Sequence, residues 1–371
     1  MNKPLKVPFI DLKQRYKEEK NEILTCLDRV LSLGHLIMTP ELSNFENEVC
    51  NYTGSKHCIG LNSGTDALMM GLMTAGVKKN DEVITSPISF VATSGAIAHI
   101  GAKPIYVDTG EDLNINPYLI EQAITSKTKA IVPVHWAGKI ADMSTIMDIS
   151  LKYNIPVVED SAQTMGSFYK NKHGGTFGLS GAISCHPLKN LNALGDGGLL
   201  LTDNDEIASK VKRYRNHGLE SRDNCIEYGV NSRLDVLNAE VLSFRLKLLN
   251  EITQKRKQNV QLYKKLIKTD HATLPEENSF QSTSYVMCLG LFKKRDELQK
   301  FLLSEGIESM IYYGTPLHLH KAAEMFGYKK GDFPIAEKQS KMVLALPHHQ
   351  YLTYEQISYV AETINQFYKE K

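Results

Sequence analysis

No stretch of this chain is both long and apolar enough to read as a membrane span. The longest run without a charged side chain, from Val83 to Ala102, is broken by serines, threonines, Pro87, Gly95 and His99, and it reads as strand, turn and helix. The start, Met1 to Pro4 leading into Val7-Pro8-Phe9-Ile10, holds no apolar segment of signal-peptide length. Cysteine is sparse: Cys26, Cys50, Cys58, Cys185, Cys225 and Cys288 show no metal-ligand spacing, so the expectation is reduced thiols, no metal site and a cytoplasmic location. Charge of one sign is lacking as well. Lys plus Arg at 43 against Asp plus Glu at 42 leaves a net charge of +1, which argues against a dedicated nucleic-acid or anionic-membrane binder. Internal repeats and low-complexity tracts are absent, and tryptophan occurs once, at Trp136.

What is present centres on Lys189. It stands in Ser184-Cys185-His186-Pro187-Leu188-Lys189 and is followed by Gly195-Asp196-Gly197-Gly198. An amine bonds to an aldehyde cofactor only after losing its proton, and a partly buried, glycine-lined pocket favours that loss by destabilising the ammonium form. Upstream, Ile155-Pro156-Val157-Val158-Glu159-Asp160 reads as a buried strand with carboxylates at its C-terminal end, where open α/β sheets bind ligands. Asp160 there suits a protonated pyridine nitrogen, whose positive charge makes the ring an electron sink. Further upstream, Lys56 to Asn62 has strand composition, and Leu68, Met69, Leu72 and Met73 repeat at helical spacing beyond it. Ser63-Gly64-Thr65 then opens a helix, where free amides and the helix dipole suit a phosphate and Gly64 permits close approach.

Phosphate cradle, strand-end aspartate and lysine occur in the order used by pyridoxal phosphate enzymes of the aspartate aminotransferase fold. SGTDAL at 63–68, EDSAQTMG at 159–166, HPLKNLNALGDGG at 186–198 and GVNSRLD at 229–235 resemble the signatures of the DegT/DnrJ/EryC1/StrS family of nucleotide-sugar aminotransferases. PFIDLKQRY near the start and PLHLHKAA and AEKQSKMVLALP near the end extend the resemblance over nearly the whole chain.

The resemblance implies an α/β protein of fold type I, with a large domain built on a mostly parallel seven-stranded sheet (1–249) and a smaller C-terminal α/β domain (250–371). It implies that Lys189 bonds to pyridoxal 5'-phosphate, with pyridoxamine 5'-phosphate as the intermediate form, and that Asp160 pairs with the pyridinium nitrogen. Gln163 lies near the phenolic oxygen in that scheme. Gly64, Thr65 and Ser184 hold the phosphate, Phe90 stacks on the ring, and Asn231 reaches the phosphate of a partner subunit, so a homodimer shares its active sites. His135, Trp136, Tyr313 and His318 are the candidate substrate residues. His135-Trp136-Ala137-Gly138 and Cys185 depart from the commonest family pattern, which bears on the sugar pocket and leaves the cofactor positions untouched.

The implied reaction moves an amino group from L-glutamate to C3 or C4 of a nucleotide-linked keto-deoxyhexose, for an O-antigen, capsule, glycan or antibiotic sugar. A deoxysugar dehydratase is an alternative, although family members of that kind carry histidine where Lys189 stands. A non-catalytic regulatory homologue would show an interrupted site or a DNA-binding module. A nicotinamide dehydrogenase would need strand, GxGxxG and helix in sequence, which the glycines after Lys189 do not supply.

Elsewhere, strand-like runs at Glu82 to Ser86, Pro104 to Asp108, Ala130 to Val134, Ile155 to Asp160 and Gly198 to Thr202 alternate with helical patterns and predict βαβ units. A long amphipathic helix is expected from Leu234 to Leu266, with Lys255, Arg256 and Lys257 on a solvated face. A strand over Ser284 to Phe292 and helices over Asp296 to Glu305 and Tyr354 to Lys369 complete the expectation.

Overall fold

Short apolar runs between turn residues form β1 (His57–Leu61), β2 (Glu82–Thr85), β3 (Lys103–Tyr106), β4 (Thr128–Val132), β5 (Val158–Asp160), β6 (Ser180–Ser184) and β7 (Gly198–Thr202) in the computed structural model, which describes residues 6–369. The Met1 to Pro4 start lies outside the described residues. Only β6 departs from the strands expected. Its Ser-Gly-Ala-Ile-Ser composition has little strand propensity. Glycine is needed there for closeness: a Cβ on Gly181 would lie 2.2 Å from the carbonyl oxygen of Gly175.

Strands β1-β7-β6-β5 form one sheet and β3-β2-β4 another. The two abut through parallel bridges Ile131–Val157 and Val134–Asp160. Pro133 and Pro156 lie at this seam and have no N–H to donate, which limits the ladder. Their carbonyls instead accept from the Asp160 amide at 2.9 Å and the Ile131 amide at 3.0 Å. The single seven-stranded sheet of the expectation is thus a four-stranded and a three-stranded sheet. Pairing is parallel for β5–β6, β2–β3 and β2–β4, whereas β7 runs antiparallel to both β1 and β6. The loop 185–197 returns the chain to the end of the sheet it had just left, and a parallel β7 would need a crossover to the opposite end.

Helices cover both faces. The chain-order set is α1 (Leu12–Leu33), α2 (Pro40–Thr53), α3 (Gly64–Thr74), α4 (Val91–His99), α5 (Met143–Tyr153), α6 (Asp205–Tyr214) and α7 (Val236–Leu266). The period of two along β7 sorts its leucines. Leu200 packs with Leu68 and Leu72 of α3, Ile97 of α4 and Val211 of α6, while Leu199 and Leu201 pack with Phe45 and Val49 of α2 and Leu242 and Leu249 of α7. Alternation of this kind buries both faces, and the apolar burial is the main source of stability.

The C-terminal part is built on the antiparallel strands β8 (Ala272–Thr273), β9 (Cys288–Phe292) and β10 (Val343–Leu346), packed by α8 (Arg295–Ser304) and α9 (Tyr354–Lys369). Val260 and Tyr263 of α7 enter this second core, so α7 runs unbroken through the expected boundary at 249/250. The expectation of a wholly solvated basic face at 255–257 is corrected by Arg256. Successive helical residues lie 100° apart, so three in a row cannot share one face. Lys255 is exposed and pairs with Glu251, while Arg256 is buried and donates to the carbonyls of Tyr285, Val286 and His348.

Candidate active site

The chain ends of β1, β5 and β6 and the start of β7 open onto one cavity of about 390 Å³. Ser63, Gly64 and Thr65 follow β1, Asp160 ends β5, Ser184 ends β6 and Gly197 precedes β7, and all six line it together with Lys189. The register explains the convergence: Gly198 sits opposite both Leu61 and Ser184. A Cβ on Gly198 would lie 2.1 Å from the carbonyl carbon of Ser63, and one on Gly64 would lie 2.9 Å from Ser184 Cβ. Of the glycines after Lys189, Gly198 therefore lets β7 press against the turn that opens α3.

That turn presents donors that suit an anion. Ser63 caps α3 by accepting from the Asp66 amide at 3.1 Å, which leaves the Gly64 and Thr65 amides at the positive end of the helix without an intrahelical acceptor. The Ser184 side chain lies beside them, its oxygen accepting only a long hydrogen bond of 3.3 Å from the His186 amide among the described residues, so its proton is available to a ligand.

Lys189 is half-buried at the cavity wall, and burial holds its ammonium pKa down to about 8, with the charge of Asp160 opposing the shift. An amine lowered this far is neutral in an appreciable fraction near neutral pH and can act as a nucleophile or a base. Asp160 is fixed on three sides. Its amide donates to the Pro133 carbonyl, its carbonyl accepts from the His135 amide at 3.1 Å, and its Oδ2 accepts from Thr93 Oγ1 at 2.6 Å. Gln163 Oε1 accepts from the Ala137 amide at 2.8 Å, leaving the side-chain NH2 of Gln163 free to donate.

Phe90 precedes α4 at the cavity rim and is more than half exposed, with its ring centroid 5.9 Å from that of Tyr313. Tyr313 lines the cavity, and burial raises its phenol pKa, with Tyr312 and Asp160 adding to the effect. The cavity thus gathers Gly64, Thr65, Phe90, Asp160, Gln163, Ser184, Lys189 and Tyr313 of the residues singled out from sequence.

Four others stand elsewhere. Trp136 is fully buried behind Tyr313, with centroids 5.3 Å apart, and its Nε1 has no hydrogen-bond partner among the described residues. His135 is buried too: its Nδ1 accepts from the Ala141 amide, so Nε2 carries the proton and donates to Glu159 at 2.9 Å. His318 is buried against Phe333 and within 3.1 Å of Glu337. None of these three side chains lines the cavity. Asn231 is exposed, its Oδ1 accepts from Arg233 Nε, and it does not line this chain's cavity.

Sequence reasoning passed over Ser89, His186, Met287 and the N-terminal Phe9 and Ile10, which also line the cavity. The segment PFIDLKQRY carried a signal for the last two. Glu159, read with Asp160 as a strand-end carboxylate, turns inward, and its buried carboxylate accepts from His135 and from the amides of Gly175, Phe177 and Gly178. Glu159 thereby ties β5 to the turn before β6.

Comparison with known proteins adds the following. The profile of the DegT/DnrJ/EryC1/StrS aminotransferase family matches residues 17–365. The "Pleiotropic regulatory protein" of Geobacillus stearothermophilus is 39% identical, over 98% of this chain and 99% of its own. The UDP-2-acetamido-2-deoxy-3-oxo-D-glucuronate aminotransferase of Pseudomonas aeruginosa is 36% identical, over 93% of this chain and 96% of its own. Among solved structures, S. venezuelae DesV in complex with a ketimine intermediate superposes with a TM-score of 0.95 at 33% identity, covering 98% of this chain and 99% of that one.

Proposed function

The chain belongs to the DegT/DnrJ/EryC1/StrS aminotransferase family, and from that premise we propose that it transfers an amino group from L-glutamate to the C3 or C4 keto group of a nucleotide-linked keto-deoxyhexose. The observation that carries the reading is the meeting of Lys189, Asp160 and the first turn of α3 in a single cavity. The residues fit pyridoxal 5'-phosphate. A cradle closed by Gly64 against Ser184 offers amide and hydroxyl donors to a phosphate, and an amine of lowered pKa and a carboxylate line the same cavity.

When bound, pyridoxal 5'-phosphate supplies an electron sink for the donor's α-carbon and a carrier for the amino group. Each side chain then has a task. The Gly64 and Thr65 amides and the Ser184 hydroxyl hold the phosphate, and Asn231 reaches the phosphate held by a partner subunit in a shared-site homodimer. Asp160 would accept from the protonated ring nitrogen, Gln163 would donate from its amide to the phenolic oxygen, and Phe90 would cover the ring. Lys189 Nζ, neutral in part near pH 8, would hold the cofactor's aldehyde carbon and would serve as the base for the proton on the donor's α-carbon. In the second half-reaction the same nitrogen returns a proton to the new amine-bearing carbon of the sugar. Tyr313 and the neighbouring Tyr312 are the groups placed to meet the sugar.

The uninterrupted site supports catalysis over a purely regulatory role, notwithstanding the printed name of the Geobacillus relative. Lys189 also stands where the dehydratase reading needs histidine. The test is to incubate the protein, pyridoxal 5'-phosphate and 15N-labelled L-glutamate with a panel of nucleotide-linked ketosugars and to follow mass. Label appearing in an aminosugar together with 2-oxoglutarate supports the reading. Failure to form 2-oxoglutarate with any member of the panel contradicts it.

A further inference from the structure

We propose that Thr93, backed by Ser89, is a positioning residue for Asp160: it pins one carboxylate oxygen so that the other is presented to the ring nitrogen. This deepens the reading above and rests on it. Thr93 lies in the first turn of α4, fully buried, and its Oγ1 is 2.6 Å from Asp160 Oδ2. Its hydroxyl is also 2.6 Å from the Oγ of Ser89, a cavity-lining residue. No intrinsic need of α4 accounts for this, since the helix uses no side-chain cap and Thr93 spends its hydroxyl on a strand 67 positions away.

The direction of the chain of hydrogen bonds follows from the charge at its end. An ionised carboxylate only accepts, so Thr93 must donate to Asp160, and its oxygen is then left to accept from Ser89. Ser89 to Thr93 to Asp160 is therefore a one-way relay, and polarisation along it strengthens the terminal charge-assisted bond. The other carboxylate oxygen is barely used. Among the described residues, Asp160 Oδ1 accepts only a long contact of 3.3 Å from the Ala162 amide. One oxygen held by Thr93 and one available is what a carboxylate needs in order to face a single N–H of fixed orientation.

A mere tie between α4 and the sheet would affect stability and leave the ring nitrogen indifferent, and that difference is measurable. Full-length Thr93→Val, Thr93→Ser and Ser89→Ala are compared with the parent chain for pyridoxal 5'-phosphate affinity and for the pH midpoint of the visible band of the bound cofactor. The rate and KM with L-glutamate are measured on the same four proteins. Removing a charge-assisted bond in Thr93→Val is expected to weaken cofactor binding roughly tenfold. It should also move the band midpoint by about half a pH unit or more and lower kcat by roughly tenfold, with the glutamate KM held within about twofold. Thr93→Ser, which restores the hydroxyl, should recover the parent's midpoint, and Ser89→Ala should shift it in the same direction as Thr93→Val by less.

A Thr93→Val protein with the parent's midpoint and affinity overturns the proposal, as does a Thr93→Ser protein that folds but keeps the valine phenotype. If Thr93→Val does not fold, Ser89→Ala decides: an unchanged midpoint is again contrary. A parent chain that binds no pyridoxal 5'-phosphate removes the reading beneath, and is distinguished by that result from a failure of Thr93 alone.

Discussion

In the proposed function Lys189 is the reacting amine, and its reactivity is a matter of when it loses a proton. Burial outweighs the attraction of Asp160 and places its pKa at about 8, well below the usual value of 10.5. Because the lowered pKa favours the neutral amine, the rate of covalent capture of bound pyridoxal 5'-phosphate should rise with pH through about 8 and then level off. Stopped-flow absorbance checks this, and a midpoint near the ordinary lysine value of about 10.5 would contradict it. Lys189→Ala should show no capture at any pH. That Gly64, Asp160, Ser184 and Lys189 meet in one cavity was largely legible in the sequence, since they stand in short strings at strand ends and at a helix start. Trp136, His135 and His318 were not placed correctly by the same reasoning. A polar or aromatic side chain near a site in sequence can point away from it, and all three are buried without lining the cavity.

At the scale of elements, the site depends on how closely strands approach, and glycines control that. Gly181 in β6 touches the backbone at Gly175, and Gly198 in β7 touches Ser63. Gly181→Ala should therefore cost about 1–3 kcal/mol of stability through overpacking, read as a lowered denaturation midpoint. An unchanged midpoint would show that the turn at Gly175 gives way freely. Strand β6 escaped sequence reading for the same reason, because Ser-Gly-Ala-Ile-Ser is chosen for thinness and not for strand propensity. By contrast β7, with Leu199, Leu200 and Leu201 buried on both faces, was plain in the sequence, although its antiparallel direction was not. Direction depends on where loop 185–197 delivers the chain, and composition carries no record of that.

At the scale of the whole molecule, residues from distant parts of the chain close one cavity: Phe9 and Ile10 before α1, the strand ends of the sheets, and Met287, Tyr312 and Tyr313 from the C-terminal part. We propose that the unit boundary falls inside α7 at 249/250, with that helix as the shared beam. Buried histidines set the acid limit of this assembly. Burial lowers the pKa of His173 and of His349 to about 4, and His348 is also driven down. The unfolded chain binds protons on these rings below about pH 6.5 while the folded chain does not, so stability should be full above that value and fall as pH drops from 6.5 toward 4. For His173 and His349 the loss is on the order of 3 kcal/mol each. A denaturation midpoint that stays flat across that window would contradict it.

The most direct test of the central claim is a visible absorption spectrum of the purified protein with pyridoxal 5'-phosphate, followed by addition of L-glutamate. The account predicts that a band of lysine-bound cofactor forms and that glutamate converts it to the pyridoxamine form. A protein that forms no such band, or one whose band glutamate and other amino donors leave unchanged, would contradict it.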